Sequence, residues 1–171
     1  METYHSIVTL ESSVQNLIHQ AMNATKGSYC PYSHFSVGAA LMTETGLIIL
    51  GANVENASYG LTICAERSAL FQAFNRREYD LKRIAITARK WLAQDAYEET
   101  TKATAPCGAC RQVLHEAASV NGKPIEVILT SSDFQEIIVT NTAELLPSGF
   151  GSEDLGVQDY IDSMYRNSLH V

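Results

Sequence analysis

The sequence predicts an α/β fold: a three-layer α/β/α sandwich on a five-stranded mixed sheet, formed as one domain over residues 1–171. Segments of helical period alternate with short apolar runs in the order αββαβαββ, which places helices on the faces of one sheet. A chain of 171 residues that is 46% hydrophobic and 18% charged has the balance of a globular domain able to bury one core. Internal repeats and low-complexity segments, which would argue for a solenoid or an unfolded chain, do not occur in the sequence.

Ile7, Leu10, Val14, Leu17, Ile18 and Ala21 recur at three- and four-residue steps and predict an amphipathic helix ending before Lys26-Gly27. Residues 29–33 form a turn-rich link, because Pro31 continues neither a helix nor a central strand. Phe35, Val37, Ala39 and Leu41 alternate with smaller or polar residues, Glu44-Thr45-Gly46 turns the chain, and residues 47–50 read as a buried strand, giving a hairpin. Three more strands are expected at 84–88, 125–130 and 136–140, with helices near 64–75 and 107–119 between them. Right-handed crossovers through these two helices make the strands they join parallel and bring both helix starts to one end of the sheet.

Residues 89–106 show no clear pattern and are expected to form a long loop. There Trp91, Leu92 and Tyr97 are available to cover apolar surface near a site or between subunits, while Asp95, Glu98 and Glu99 face water. The tail at 152–171 alternates polar residues with Leu155, Val157, Tyr160, Ile161, Met164 and Tyr165, which predicts a short docked helix with frayed ends.

Charge and cysteine usage narrow the function. Twelve Lys and Arg against 19 Asp and Glu give a net charge of −7 without a basic run, which disfavours a polynucleotide substrate; a small uncharged molecule needs no such field. The apolar stretch near the N-terminus is broken by Glu11, Gln15, Asn16 and His19, so neither a signal peptide nor a spanning helix is expected, and the protein is expected to be cytoplasmic. Four cysteines in that setting, two of them in C-x-x-C, favour metal or thiol chemistry over a disulfide framework.

Cys64-Ala65-Glu66-Arg67 pairs a soft metal ligand with a carboxylate two residues on, and Pro106-Cys107-Gly108-Ala109-Cys110 adds two thiols at i and i+3. In the first turn of a helix, thiols at that spacing share one face, where free N–H groups and the macrodipole favour the ionised form. Cys64, Cys107 and Cys110 can therefore converge on one zinc ion with a fourth position open to water, which marks a catalytic rather than a structural site. Glu66 is then free for acid–base work. Three thiolates on a divalent cation leave one negative charge, and Arg67 is the adjacent compensating group, with Arg111 as a second candidate.

Cys64-Ala65-Glu66 followed downstream by Pro106-Cys107-x-x-Cys110 resembles the zinc-dependent cytidine deaminases. Phe35-Ser36-Val37-Gly38-Ala39-Ala40, Asn53-Val54-Glu55-Asn56-Ala57-Ser58-Tyr59, the segment 107–113 and Leu145-Leu146-Pro147-Ser148-Gly149-Phe150 also resemble the free-nucleoside branch of that family, in the same order. The resemblance implies one zinc per subunit and hydrolysis of cytidine and 2′-deoxycytidine to uridine and 2′-deoxyuridine plus ammonia. Zinc-activated water adds at C4 while Glu66 shuttles protons. It further implies that Asn53 and Glu55 hydrogen-bond ribose hydroxyls, that Ala57 lies among the substrate contacts, and that Arg67 contacts the thiolates. The Ala65 N–H and the Ala105 carbonyl are implied to meet the pyrimidine O2 and the leaving amine; many relatives have Ser where Ala105 stands, but the contact is through the backbone. Phe35 and Phe150 are implied to stack on the base, Phe150 from a neighbouring subunit, and Tyr59 to reach the sugar across an interface. A homotetramer acting in pyrimidine salvage is the implied assembly and role. The connection at 89–106 is about ten residues longer than in many relatives.

Taken one at a time, these residues keep other readings open. Asn53 and Glu55 are also turn-formers after a strand, Phe35, Tyr59 and Phe150 core residues, and Glu66 and Arg67 surface charges. At the level of function, the same zinc site can serve another cytosine-bearing small molecule such as a nucleoside antibiotic. A structural zinc protein closed by Cys30 or His34, or a thiol–disulfide exchanger using Cys107 and Cys110, belongs to a different class. Closure leaves Glu66 without a role, and a redox pair leaves Cys64-Ala65-Glu66 unexplained.

Overall fold

The computed structural model describes residues 1–93 and 96–166. Among them the chain forms β1 (Glu2–Tyr4), α1 (Ser12–Ala24), β2 (Phe35–Thr43), β3 (Ile48–Ala52), α2 (Ala65–Asn75), β4 (Leu81–Ala93), β5 (Ala96–Glu99), α3 (Gly108–Asn121), β6 (Glu126–Thr130), β7 (Ile137–Asn141), α4 (Thr142–Leu145) and α5 (Gln158–Ile161). The strands make one mixed sheet in the order β1-β7-β6-β4-β2-β3, with β5 paired to β4. β4 and β6 are parallel, with Ile84 opposite Val127 and Ile86 opposite Leu129; the other neighbours are antiparallel. Because β3 and β4 both run against the β2 between them, they point the same way. Both crossovers, through α2 and through α3, thus join parallel strands and deliver their helix starts to one end of the sheet, as the motif order predicts.

The period of two along β2 divides the core. Ala40 and Met42 face α1, where they pack with Val14, Leu17, Ile18 and Ala21. Ala39 and Leu41 face the other way, into the layer of Ala65, Ala69 and Leu70 from α2 and Leu114 from α3. These are the three layers expected.

Among the described residues the sheet has seven strands rather than five, and both additions have a physical reason. β1 is three residues long, too short to show alternation, and is held at the edge by pairing with residues 137–139 of β7. β5 lies in the stretch read from sequence as an unpatterned loop at 89–106. β4 continues through Arg89, Lys90 and Trp91 to Ala93, and residues 96–99 return alongside it, so much of that loop is a hairpin. Its strands carry charges and aromatics without an apolar run, which hides them from a periodicity search. Glu98 and Glu99 are exposed as expected, and Asp95 lies outside the described residues. The tail does dock a helix: α5 leads into a π turn over Asp162–Arg166, the Gln158 side chain donates to the Ser119 carbonyl at 3.3 Å, and Tyr165 meets Tyr79 edge-on at 5.4 Å. The frayed end expected beyond it falls at 167–171, outside the described residues.

Gly51 sets how closely α2 approaches the sheet. A Cβ there would lie 2.3 Å from the Ala65 carbonyl oxygen and 2.4 Å from the Ala69 nitrogen, both backbone atoms that cannot swing aside. The absence of a side chain lets the first turn of α2, with Glu66 in it, rest on β3. Gly51→Ala is therefore expected to destabilise the fold by about 1–3 kcal/mol. Gly60→Ala, where a Cβ meets nothing within 4 Å, should stay within about 0.5 kcal/mol. Urea unfolding of the two variants reads the difference; equal midpoints would remove Gly51 from this role.

Candidate metal centre and active site

Three short stretches are laced together beside the start of α2. Val54 exchanges backbone hydrogen bonds with Ile63 at 2.9 and 3.0 Å, while Tyr29 donates to the Asn53 carbonyl at 3.0 Å and accepts from the Glu55 N–H at 2.8 Å. This lattice fixes Asn53 and Glu55 next to the strand that leads into Cys64. Cys64 then occupies the N-cap of α2 and Cys107 the N-cap of α3, with Cys110 in the first turn of α3.

The three sulfur atoms lie within 4.8 Å of one another, and Cys64 and Cys107 are 3.9 Å apart. Zinc–thiolate bonds of about 2.3 Å in a tetrahedron place sulfurs about 3.8 Å apart, so the donor set fits zinc in both chemistry and spacing. Hydrogen bonding from the Cys110 thiol pulls the Cys64 thiol down to about 5 against the opposing effect of burial, with further help from Arg67 and Cys107. Cys110 is pushed up by its hydrogen bond to Cys64 and by burial. The cluster thus concentrates one negative charge on Cys64, and a divalent cation entering it displaces the remaining thiol protons.

Arg67 lies where the charge is. Its Nη2 donates to the Thr62 carbonyl at 2.9 Å and to Cys64 Sγ at 3.6 Å, and the Cys64 thiolate raises its pKa further. Arg111, the second candidate for this task, is directed elsewhere: it donates to the carbonyls of Pro106 at 3.0 Å and Leu145 at 3.3 Å. It ties the residue before Cys107 to the end of α4 rather than reaching the thiolates.

Glu66 is only 4% exposed. Burial raises its pKa above the ordinary carboxylate range, and the charge on Cys64 adds to this, while its own backbone N–H and the Cys110 thiol pull the other way. It is not in the cluster of metal donors. A buried carboxyl of raised pKa beside three cysteine sulfurs is an arrangement able to carry acid–base chemistry on a metal-activated water.

Glu55 is also buried but behaves oppositely. Burial alone would raise its pKa, yet it is lowered by hydrogen bonds from the Ser33 side chain, the Tyr32 and Ser33 amides and the Tyr59 hydroxyl. The distances are 2.9 and 3.2 Å from the two amides to Oε2 and 3.1 Å from Tyr59 to Oε1. Asn53 is no simple turn-former. Its Oδ1 accepts from the Ser28 hydroxyl at 2.5 Å and the Val37 amide at 2.8 Å, and its Nδ2 donates to the Phe35 carbonyl at 2.9 Å.

The aromatic candidates are not core residues. Phe35 is 39%, Tyr59 57% and Phe150 61% exposed. Phe150 rides on a loop fastened to α3: Gln112 donates to its carbonyl at 2.8 Å, and a Cβ on Gly149 would meet the His115 ring at 3.0 Å. Ala57 and Ala105 are exposed, whereas Ala65 is buried at the first position of α2, where an amide N–H has no carbonyl within its own helix. Cys30 and His34 stay out of the metal cluster. Sequence reasoning missed Thr62, the Tyr32 and Ser33 amides, and Gly51; only Gly51, a glycine late in an apolar strand, carried a legible signal.

Comparison with known proteins agrees with this geometry. Residues 11–122 match the family model described as the cytidine and deoxycytidylate deaminase zinc-binding region. The cytidine deaminase of Halalkalibacterium halodurans is 45% identical over 141 residues, covering 82% of this chain and 96% of the relative. That of Sporosarcina psychrophila is 39% identical over 142 residues, covering 83% and 94%. Among solved structures, cytidine deaminase from Burkholderia pseudomallei superposes with a TM-score of 0.67 at 42% identity, covering 79% of this chain and 97% of that one.

Proposed function

Since the chain belongs to the cytidine and deoxycytidylate deaminase zinc-binding family, we propose that it hydrolyses cytidine and 2′-deoxycytidine to uridine and 2′-deoxyuridine plus ammonia. The observation that carries this reading is Glu66: a buried, non-ligand carboxyl of raised pKa in the first turn of α2, two residues after Cys64 of the three-cysteine cluster. Cys64, Cys107 and Cys110 hold the zinc, which when bound supplies the Lewis acid that makes water nucleophilic near neutral pH. Glu66 accepts the proton this water gives up and passes it to the ring N3 as oxygen bonds to C4. It then takes the second proton from the new C4 hydroxyl and delivers it to the exocyclic nitrogen, so that the C4–N bond breaks as the C4 carbonyl forms and ammonia departs. The raised pKa suits a group that must be reprotonated within each turnover. Arg67 offsets the negative charge of the thiolates and so preserves the electrophilicity of the centre.

Substrate recognition is assigned to Asn53 and Glu55 at the ribose, Ala57 beside them, the Ala65 N–H and the Ala105 carbonyl at the pyrimidine edge, and Phe35 on its face. Glu55 is suited to accept from hydroxyls because its hydrogen bonds keep it ionised, and the Asn53 amide nitrogen has a second hydrogen to donate. A ribose site favours nucleosides over other cytosine-bearing molecules. We further assign the chain to one domain and a homotetramer acting in pyrimidine salvage in the cytoplasm. What supports the assembly is the exposure of Phe150, Tyr59, Leu61 and Phe71, large apolar side chains a monomer would leave in water. In the tetramer Tyr59 and Phe150 reach a neighbour's site.

Ultraviolet monitoring of the zinc-loaded protein with cytidine, deoxycytidine, cytosine and CMP tests the reaction. The two nucleosides alone should turn over, and Glu66→Ala should keep zinc while losing about 10² or more in kcat. Turnover of CMP, or near-normal rates in the zinc-loaded variant, would contradict the assignment. Subunit mixing tests the shared site. Phe150→Ala should raise KM about fivefold to a hundredfold, the range base stacking is worth. Mixed oligomers of Glu66→Ala and Phe150→Ala chains should recover activity at low substrate. Activity equal to the average of the two parents would return Phe150 to its own subunit.

A further inference from the structure

His34 has φ 56°, in the left-handed region that few residues other than glycine adopt without support. It sits between the two amides that hold Glu55, on Tyr32 and Ser33, and the start of β2 at Phe35. Its N–H is anchored to the Cys30 carbonyl at 3.0 Å. Its other two contacts come from one residue: the Trp91 N–H donates to the His34 carbonyl at 2.7 Å, and the two rings stack at 5.5 Å with an interplanar angle of 27°.

Trp91 can reach His34 only because β4 outruns its neighbour. The β4–β6 ladder stops at Thr87 opposite Thr130, and β5 takes over the edge from Arg89, opposite Glu99. Phe35 pairs with Lys90, so the next residue of β4 stands beside His34. The hairpin is itself made firm. Tyr97 is the cross-strand partner of Trp91 and carries the Arg89 guanidinium 3.4 Å above its ring; Lys90 pairs with Glu98 at 3.2 Å. Thr100 fastens the base, donating from its hydroxyl to the Ala88 carbonyl at 2.8 Å and from its amide to Ser132 at 2.7 Å. Trp91 and Tyr97 also wall a cleft of about 320 Å³ behind Tyr29, Cys30 and Pro31.

We propose that Trp91 is a positioning residue: by stacking on His34 it locks the left-handed turn that presents the Tyr32 and Ser33 amides to Glu55 and aims Phe35 at the substrate. This rests on the reading of Glu55 and Phe35 as substrate contacts. Were His34 to relax to negative φ, the chain would change direction between the two amides and Phe35, and Glu55 would lose the donors that orient it.

Trp91→Leu keeps apolar cover over the cleft but loses the stack, whereas Trp91→Phe keeps a ring. In the zinc-loaded enzyme Trp91→Leu should raise the KM for cytidine about fivefold or more with kcat within about twofold, and exchange of the Tyr32 and Ser33 amides should quicken about tenfold. Trp91→Phe should stay near the unaltered enzyme. Adding His34→Gly to Trp91→Leu, which makes positive φ free of steric cost, should bring KM back to within about threefold. Unchanged amide exchange in Trp91→Leu, faster exchange with unchanged KM, or failure of His34→Gly to restore KM would each overturn the proposal. Glu55→Gln separates the two readings: if it leaves KM unchanged, Glu55 is not a substrate contact, whereas a rise in KM there beside an unchanged KM in Trp91→Leu counts against Trp91 alone.

Discussion

Holding three cysteine sulfurs within bonding range of one cation is the constraint on which the rest of this structure depends. The sulfurs come from two helix starts 43 residues apart in sequence, and they meet because α2 and α3 both cross between parallel strands and begin at the same end of the sheet. Sulfurs this close repel when ionised. The N-termini of α2 and α3, the shared thiol protons and the Arg67 guanidinium all lower that cost in the metal-free protein. Gly51 lets α2 come down far enough for its first turn to join. Fold and metal site are one problem with one solution.

Around that centre two buried carboxylates are driven in opposite directions. Glu66 has few donors and a neighbouring thiolate, so its neutral form is favoured; Glu55 is met by two amides and a tyrosine hydroxyl, so its charge is retained. The same side chain in two settings is pushed toward the neutral form in one and held ionised in the other, and the division follows from what surrounds each group. The loop at 29–35 supplies two of the donors that make the difference for Glu55, the Tyr32 and Ser33 amides.

Much of this was legible in the sequence because the decisive residues sit in short local patterns. Cys64-Ala65-Glu66 and Cys107-x-x-Cys110 announce helix starts with ligands at one-face spacing, and the alternation from Phe35 to Leu41 marks β2 outright. Asn53 and Glu55 are marked by the motif they share with the family, but no local pattern says that Ser28, Tyr32 and Ser33 bond to them, since those pairings span 22 to 25 residues. The β4–β5 hairpin was missed for a related reason. Lys90 pairs with Glu98 and Arg89 lies over the Tyr97 ring, so the contacts that hold this hairpin are polar and aromatic and leave no apolar period to detect. Arg111, the second candidate beside Arg67 for the charge of the thiolates, is separated from it only by the three-dimensional path of its guanidinium.

The central claim is that the zinc has three protein ligands and one open position. X-ray absorption at the zinc edge of the loaded, substrate-free protein reads this directly. Three sulfurs at about 2.3 Å and one oxygen at about 2.0–2.2 Å are expected. A fourth sulfur, or a nitrogen in place of the oxygen, would mean that Cys30 or His34 closes the site, and would contradict the account.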